Sequence, residues 1–199
     1  MEPVFNSYTF TETMHAELDA VGHLVLPGLL TTGARNRLTD SLSHIQSIRP
    51  ITKGHEPGRF AAEFDAYLES LIGHPDLVAL AHEVLGEDIR YDHCVALNRQ
   101  GGNQGLGWHS HSYGETDPKL GFLRIFFYVN GFELGDGNLK AVPGSHTYRD
   151  ATLRAADDKA LEAGWMAGKT NPATGAPLVI EALSAPPGSV VLMWTHAAH

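Results

Sequence analysis

The pattern of hydrophobic and polar positions predicts helices in the first 86 residues and strands after them. In the first part, apolar side chains recur at helical spacing, and one short apolar strand at 23–27 ends at Pro27. Thr31 and Thr32 can cap a helix with apolar positions 38, 42 and 45, and Gly86 ends the last helical pattern. The other predicted helices cover residues 12–20, 60–71 and 75–85, and residues 46–60 are predicted to be a loop.

The chain after Gly86 has the pattern of a β-structure. Strand-like runs are separated by turns rich in glycine or proline, mostly without helices between them, which favours antiparallel pairing in a sandwich or barrel. The predicted strands cover residues 89–98, 108–113, 120–130, 139–142, 178–183 and 189–195, and one helix is predicted at 152–166. We therefore expect one domain over residues 1–199, in which a helical region, 1–86, packs on a β-region, 87–199.

Composition and charge narrow the classes of partner. The 199 residues include 14 basic and 23 acidic side chains, a net charge of −9, which argues against a nucleic acid or an anionic membrane and favours a small-molecule substrate. The sequence shows no apolar run long enough to span a bilayer and no secretory signal, which predicts a cytoplasmic protein. Because Cys94 is the single cysteine, any metal must be held by imidazole and carboxylate groups.

The strand predicted at 108–113 carries two histidines on one face. Residues i and i+2 of a strand point to the same side, so His109 and His111 project together. Two imidazoles and a third ligand from a neighbouring strand form a compact site for iron, zinc, copper or nickel that leaves positions open for substrate or oxygen. The alternative is an edge strand whose histidines are exposed or hold ordinary hydrogen bonds.

Two later segments also end in histidines. Residues 136–146, Asp-Gly-Asn-Leu-Lys-Ala-Val-Pro-Gly-Ser-His, predict a turn, a short strand and a tight turn. Residues 185–199, Ala-Pro-Pro-Gly-Ser-Val-Val-Leu-Met-Trp-Thr-His-Ala-Ala-His, predict a turn and an apolar strand. Together with Trp108-His109, these motifs in this order resemble the phytanoyl-CoA dioxygenase family of iron(II) and 2-oxoglutarate-dependent oxygenases.

This resemblance implies a fold, a cofactor set and a ligand set. The implied fold is mainly β with N-terminal helices, and its core is a double-stranded β-helix, a jelly-roll or cupin-like barrel. The implied cofactors are Fe(II), the cosubstrate 2-oxoglutarate and O2, and the implied reaction is hydroxylation of a small-molecule or acyl-type substrate. Counting from Gly188 places the family's distal metal ligand on His199 rather than His196. His146 is expected to have a structural role.

One departure from the family lies in the first motif. The family has His-x-Asp, and this chain has His109-Ser-His111, so an imidazole stands where a carboxylate is expected. The series from His109 to Glu115 also resembles the first motif of cupins, whose metal is held by three histidines and a glutamate. This similarity implies a four-ligand site of His109, His111, Glu115 and His199, although Glu115 can equally be a solvated loop residue.

The other departure is that the chain stops at His199. Family members continue into a strand whose arginine pairs with the far carboxylate of 2-oxoglutarate, so the barrel is expected to have an open C-terminal edge. Arg124 is a candidate to replace that arginine, Phe126 a candidate wall against the cosubstrate, and Asn98 a candidate amide donor to a carboxylate. Alternatively, Arg124 is a residue at the rim of the barrel, Phe126 is a core residue and Asn98 caps a turn.

These departures leave two alternatives to the oxygenase prediction. One is a cupin-like metalloenzyme that does not need 2-oxoglutarate. The other is a truncated, inactive member of the family that binds metal or ligand without turnover.

Overall fold

The computed structural model describes residues 1–48, 57–98, 106–111, 121–135 and 137–199. The helices are α1 (Glu12–Val21), α2 (Thr32–Ser47), α3 (Ala66–Ile72), α4 (Pro75–Leu85) and α5 (Asp158–Ala163). The strands are β1 (His23–Leu26), β2 (Trp108–His109), β3 (Leu123–Tyr128), β4 (Lys140–Ala141), β5 (Arg154–Ala155), β6 (Glu181–Ala182) and β7 (Ser189–Trp194). Among these residues helix exceeds strand, so the architecture is mixed rather than mainly β.

The contacts divide the chain into two compact units. The first comprises Met1–Phe10 and Gly28–Gln100, and the second comprises Thr11–Pro27 and Gly101–His199. Helix α1 and strand β1 therefore belong with the C-terminal strands. The single domain with regions 1–86 and 87–199 stays a prediction. None of the helices in the described ranges is long and apolar enough to cross a membrane.

The first unit contains α2, α3 and α4, each capped by a side chain. Thr31 caps α2, as predicted, and α4 begins at Pro75 after His74, whose ring nitrogen accepts from the Asp76 N–H. The continuous helix predicted at 60–71 is wrong. Asp65 is extended, with φ −143° and ψ 119°, and its carboxylate accepts from the N–H groups of Tyr67 and Leu68, so α3 starts at Ala66.

The strand predicted at 89–98 is also wrong, since none of these residues is assigned to a strand. Backbone bonds from Ala61 N–H to Cys94 O and from Ala96 N–H to Gly58 O, both 2.8 Å, hold the segment. The segment to which it is bonded consists of turns and a 3₁₀-helix, Ala61–Glu63, and is not a strand. A regular ladder cannot form against such a partner.

The second unit is built on an antiparallel sheet with strand order β1-β7-β3. Strand β7 lies in the centre, and its residues from Ser189 to Met193 are fully buried, which explains its uninterrupted apolar sequence. Met193 pairs with His23 on one side and with Arg124 on the other. Directly paired residues share a face, so these three side chains form one row.

Two smaller antiparallel sheets, β2–β5 and β4–β6, complete this unit. The helix predicted at 152–166 is wrong at its start, because β5 occupies residues 154–155 and Asp157 caps α5 through a bond from the Ala160 N–H. The other predicted strands in the described ranges are present but shorter. The core beside β2 contains Trp108, Val142, Leu153, Leu161, Met166, Leu178 and Ala198.

Candidate metal centre

Backbone pairing in the second unit brings three histidines together. His109 and His199 exchange both backbone hydrogen bonds at 3.0 Å, and the N–H of His111 donates to the carbonyl oxygen of Thr195, also at 3.0 Å. The three rings lie with centroids 4.5, 4.9 and 5.3 Å apart. One nitrogen from each ring lies within 4.8 Å of the other two. In the described part of the chain this is the one cluster of three or more metal-ligand side chains, and it contains no carboxylate.

Hydrogen bonds orient two of the rings toward the centre. Nδ1 of His109 lies 3.0 Å from the Gly107 carbonyl oxygen, and Nδ1 of His199 lies 2.8 Å from the Ala197 carbonyl oxygen. A carbonyl oxygen can only accept, so each Nδ1 carries the proton and each Nε2 keeps its lone pair. The Nε2 atom of His111 is buried and has no hydrogen-bond partner among the described residues. The Nε2 atoms of His109 and His199 are thus available to bind an ion, and Nε2 of His111 is the third candidate ligand atom.

The electrostatics of the cluster favour neutral imidazoles. Burial, followed by the positive charges of Arg124 and other neighbours, lowers the pKa of His111 to about 3. Burial also lowers the pKa of His199 to about 4, against an opposing effect of the Ala197 carbonyl. At neutral pH both rings are therefore deprotonated, which is the form that binds metal.

Side-chain bonds fix the strand that carries His109. The indole N–H of Trp108 donates to Asp158 at 3.0 Å, and Lys140 forms an ion pair with the other carboxylate oxygen at 2.6 Å. The bond from Lys140 holds the pKa of Asp158 below its usual value. Strands β2 and β4 are thus tied to the start of α5 beside the histidines.

Arg124 and Phe126 lie on β3, on the face that Met193 shares. Arg124 is half-buried, and its positive charge adds to the effect of burial in lowering the pKa of His111 and of His199. Phe126 packs against a core of Ala141, Met193 and Ala197. The structure therefore brings Arg124 beside the histidines and gives Phe126 contacts in the neighbouring core.

The remaining predicted residues have other positions. Asn98 is exposed and belongs to the first unit, while Glu115 lies outside the described residues. His196 is buried, with its ring 5.9 Å from that of Phe122, and is not in the cluster. Nε2 of His146 is bonded to the carbonyl oxygen of Asp19 at 2.9 Å.

Comparison with known proteins identifies the fold. No protein-family model and no curated protein sequence matches the chain. The chain is similar to HygX from Streptomyces hygroscopicus, solved with nickel and 2-oxoglutarate bound, with 15% identity over 96% of this chain and 80% of that chain and a TM-score of 0.62. A structure of HygX with iron bound is also similar, at 16% identity with a TM-score of 0.64 over 96% of this chain and 79% of that chain.

Two further structures agree. EctD from S. alaskensis, solved with 2-oxoglutarate and 5-hydroxyectoine, has 17% identity over 100% of this chain and 74% of that chain, with a TM-score of 0.62. SnoN, a non-heme alpha-ketoglutarate-dependent epimerase from nogalamycin biosynthesis, has 13% identity over 94% of this chain and 72% of that chain, with a TM-score of 0.59. The chain shares its fold with these proteins, which were solved with iron, nickel or 2-oxoglutarate bound or are described as alpha-ketoglutarate-dependent. At these identities the likeness concerns the fold alone.

The sequence analysis missed one charged residue next to His109. Arg154 is paired directly with His109 across β2 and β5. The reason is that a helix was predicted at 152–166, and a residue inside a helix has no partner in a β-ladder. The signal that could have revealed it is Asp157, a strong helix cap, which implies that the helix begins at 158 and that the preceding residues are extended.

Proposed function

We propose that this chain is an oxygenase domain that binds Fe(II) through His109, His111 and His199 and uses 2-oxoglutarate and O2 to hydroxylate a small molecule. The observation that carries the proposal is the convergence of three imidazole rings, one nitrogen of each lying within 4.8 Å of the other two. The fold supports the choice of metal and cosubstrate, because it is shared with proteins solved with iron, nickel and 2-oxoglutarate bound. The antiparallel sheets are consistent with a double-stranded β-helix, which is part of the proposal.

The histidine cluster fits a divalent transition metal. Imidazole nitrogens suit iron and nickel, and three protein ligands leave coordination positions for a cosubstrate and oxygen. The Nε2 atom of His111 supports this fit, because it is buried without a hydrogen-bond partner among the described residues, and such an atom is costly unless something binds it. Fe(II) with 2-oxoglutarate and O2 would supply the oxidising power for attack on a C–H bond, which protein side chains lack.

The chain's own residues orient the metal ligands and, in the proposal, contact the cosubstrate. The carbonyl groups of Gly107 and Ala197 keep the protons of His109 and His199 on Nδ1, so both rings present Nε2. In the proposal, Arg124 binds the far carboxylate of 2-oxoglutarate through its planar guanidinium. Phe126, whose ring stacks with Tyr128 at 6.0 Å, is proposed as the apolar wall beside the cosubstrate. The roles of Asn98 and Glu115, and a location in the cytoplasm, stay predictions.

The absence of a carboxylate from the described cluster supports a second candidate, a cupin-like metalloenzyme that works without 2-oxoglutarate. Three neutral imidazoles leave the full +2 charge of the ion uncompensated, unlike a site that contains an aspartate. Such a centre can activate an anionic substrate that binds to the metal directly. Turnover or oxygen uptake that is indifferent to 2-oxoglutarate would favour this candidate.

Succinate formation tests the proposal without a known substrate. The purified chain is incubated with Fe(II), 2-oxoglutarate and O2, and slow uncoupled formation of succinate is measured. We expect formation that requires all three and is lost in His199→Ala, while the matched variant of the surface residue His15→Ala retains it. Metal binding without succinate, under conditions where the chain is folded, would favour the second candidate. A chain that binds no metal would contradict both.

A further inference from the structure

Arg154 presents its side chain on the same side of the β2–β5 ladder as His109. The two residues are direct partners in this antiparallel pair, and Trp108 pairs with Ala155. Side chains of directly paired residues lie on one face, with Cβ atoms roughly 5 Å apart. Arg154 is therefore a neighbour of the metal centre by backbone register, independently of where its flexible side chain ends.

Backbone carbonyls hold one end of the guanidinium group. Nη1 of Arg154 donates to the carbonyl oxygens of Leu153 at 2.5 Å, Ala151 at 3.3 Å and Ser110 at 3.4 Å. In the described ranges, neither Nε nor Nη2 makes a hydrogen bond, and no carboxylate forms an ion pair with this residue. With Nη1 anchored and no partner for Nε or Nη2 among the described residues, this arginine can bind a carboxylate or phosphate group in a bidentate way.

The surroundings of Arg154 form an open depression beside His109. It has a volume of about 440 Å³ and is lined by Leu106, Gly107, Trp108, His109, Arg154, Ala155 and Ala156. Apart from His109 and Arg154, its side chains are apolar or absent. An apolar depression with one cation and one metal-ligand residue is suited to a ligand that has an apolar body and an anionic group.

We propose that Arg154 binds a carboxylate or phosphate group of the small-molecule substrate, beside the three histidines. This inference rests on the proposed function, because it places the substrate at the proposed metal centre. It assigns the two arginines near the cluster to different ligands: Arg124, on β3, to the cosubstrate, and Arg154, on β5, to the substrate. Arg124 pairs with Met193 in the β3–β7 ladder, whereas Arg154 pairs with His109 in the β2–β5 ladder, so the two arginines belong to different sheets.

The test uses chain loaded with Co(II), whose visible spectrum reports anions that bind directly to the metal. Benzoate and phenyl phosphate are titrated by calorimetry in the presence of saturating 2-oxoglutarate, with benzamide as the neutral comparison. We expect binding of at least one anion, no binding of benzamide, and a dissociation constant about tenfold or more higher in Arg154→Gln. Arg154→Lys, which keeps the charge without the fork, should give an intermediate value.

Controls separate this inference from the proposed function. Lys159→Gln removes the same charge from an exposed position on α5 and should leave anion binding unchanged. Melting temperatures of the Arg154 variants exclude loss of fold as the cause, and Arg154→Lys is used if Arg154→Gln unfolds. Failure to bind Co(II) would contradict the proposed function. If Co(II) binds normally and the anion affinity is equal in wild type and Arg154→Gln, the role of Arg154 is overturned. It is also overturned if Arg154→Gln weakens the binding of 2-oxoglutarate and not that of the anions.

Discussion

His109 and His199 donate their backbone N–H groups to each other's carbonyl oxygens, at 3.0 Å in both directions. They are 90 positions apart in the sequence, yet this pairing holds their imidazole rings with centroids 4.5 Å apart. The distance between the two rings is therefore set by β-pairing, and the side-chain bonds to Gly107 and Ala197 then orient them. A centre built in this way requires the folded chain.

Replacement of Arg124 should weaken the binding of 2-oxoglutarate. A charge-assisted, bidentate contact to a carboxylate contributes about 1.5–3 kcal/mol, so Arg124→Gln should raise the dissociation constant of 2-oxoglutarate by about tenfold or more. Arg124→Lys should recover part of this loss. Calorimetry on nickel-loaded chain measures the effect, with Lys159→Gln as the control for charge. An unchanged dissociation constant in Arg124→Gln would remove Arg124 from the cosubstrate site.

Replacement of His111 by aspartate should shift the metal preference of the centre toward iron. Three imidazoles favour nickel and copper over Fe(II), in the general order of divalent affinities, whereas a carboxylate adds a hard anionic ligand. In competition titrations we expect the ratio of Fe(II) to Ni(II) affinity to rise in His111→Asp relative to wild type. His111→Ala, which removes the ligand without replacing it, should weaken both metals. An identical ratio in wild type and His111→Asp would show that residue 111 does not bind the ion.

Gly22 is required by the close approach of His146. Gly22 has φ +95°, and a Cβ atom there would lie 2.5 Å from Nδ1 of His146. Gly22→Ala should lower the free energy of unfolding by about 2–4 kcal/mol, because left-handed strain and overpacking add. Gly168, with φ +73° and no atom near its Cβ position, is the matched control, and Gly168→Ala should cost only about 1–2 kcal/mol. Equal losses in urea unfolding would contradict a steric role of His146.

The metal-free chain should lose stability as the pH falls below neutral. Burial lowers the pKa of His23 and His146 in the folded chain, so the unfolded chain takes up protons first as the pH falls through 6.5. The free energy of unfolding should therefore be largest above about pH 6.5 and decrease at lower pH, by at most about 1.4 kcal/mol per pH unit for each proton. Urea unfolding at pH 7, 6 and 5 with a chelator measures this slope. His23→Gln should make the slope shallower, and an unchanged slope would show that His23 does not contribute.

Local patterns were sufficient to predict several elements. The boundaries of α4 follow from Pro75 and Gly86, which respectively start and end a helix for stereochemical reasons, and β7 follows from an uninterrupted apolar run. The predicted elements were wrong where a capping side chain or the segment opposite determines the local structure. Asp65 and Asp157 end extended segments by capping the following helices, and the segment 89–98 has turns rather than a strand opposite it.

The sequence was sufficient to propose three histidines for the candidate site, but not to show how the fold brings them together. Alternation along a strand predicts that His109 and His111 share a face, and family motifs pointed to His199, which the structure brings to the same cluster. The pairing of Arg154 with His109 depends on register between distant segments, which a single sequence does not encode locally. The lowered pKa values of His111 and His199 likewise depend on burial by the complete fold.

The most direct test of the central claim is an anaerobic titration of the chain with Fe(II) followed by 2-oxoglutarate, monitored for the visible iron-to-2-oxoglutarate charge-transfer band. The band requires iron held at a site where 2-oxoglutarate binds through its keto acid. We predict a band in wild-type chain that saturates with one 2-oxoglutarate per iron and is lost in His109→Ala and His199→Ala. A folded chain that binds Fe(II) without developing the band, or a band that persists in both variants, would contradict the account.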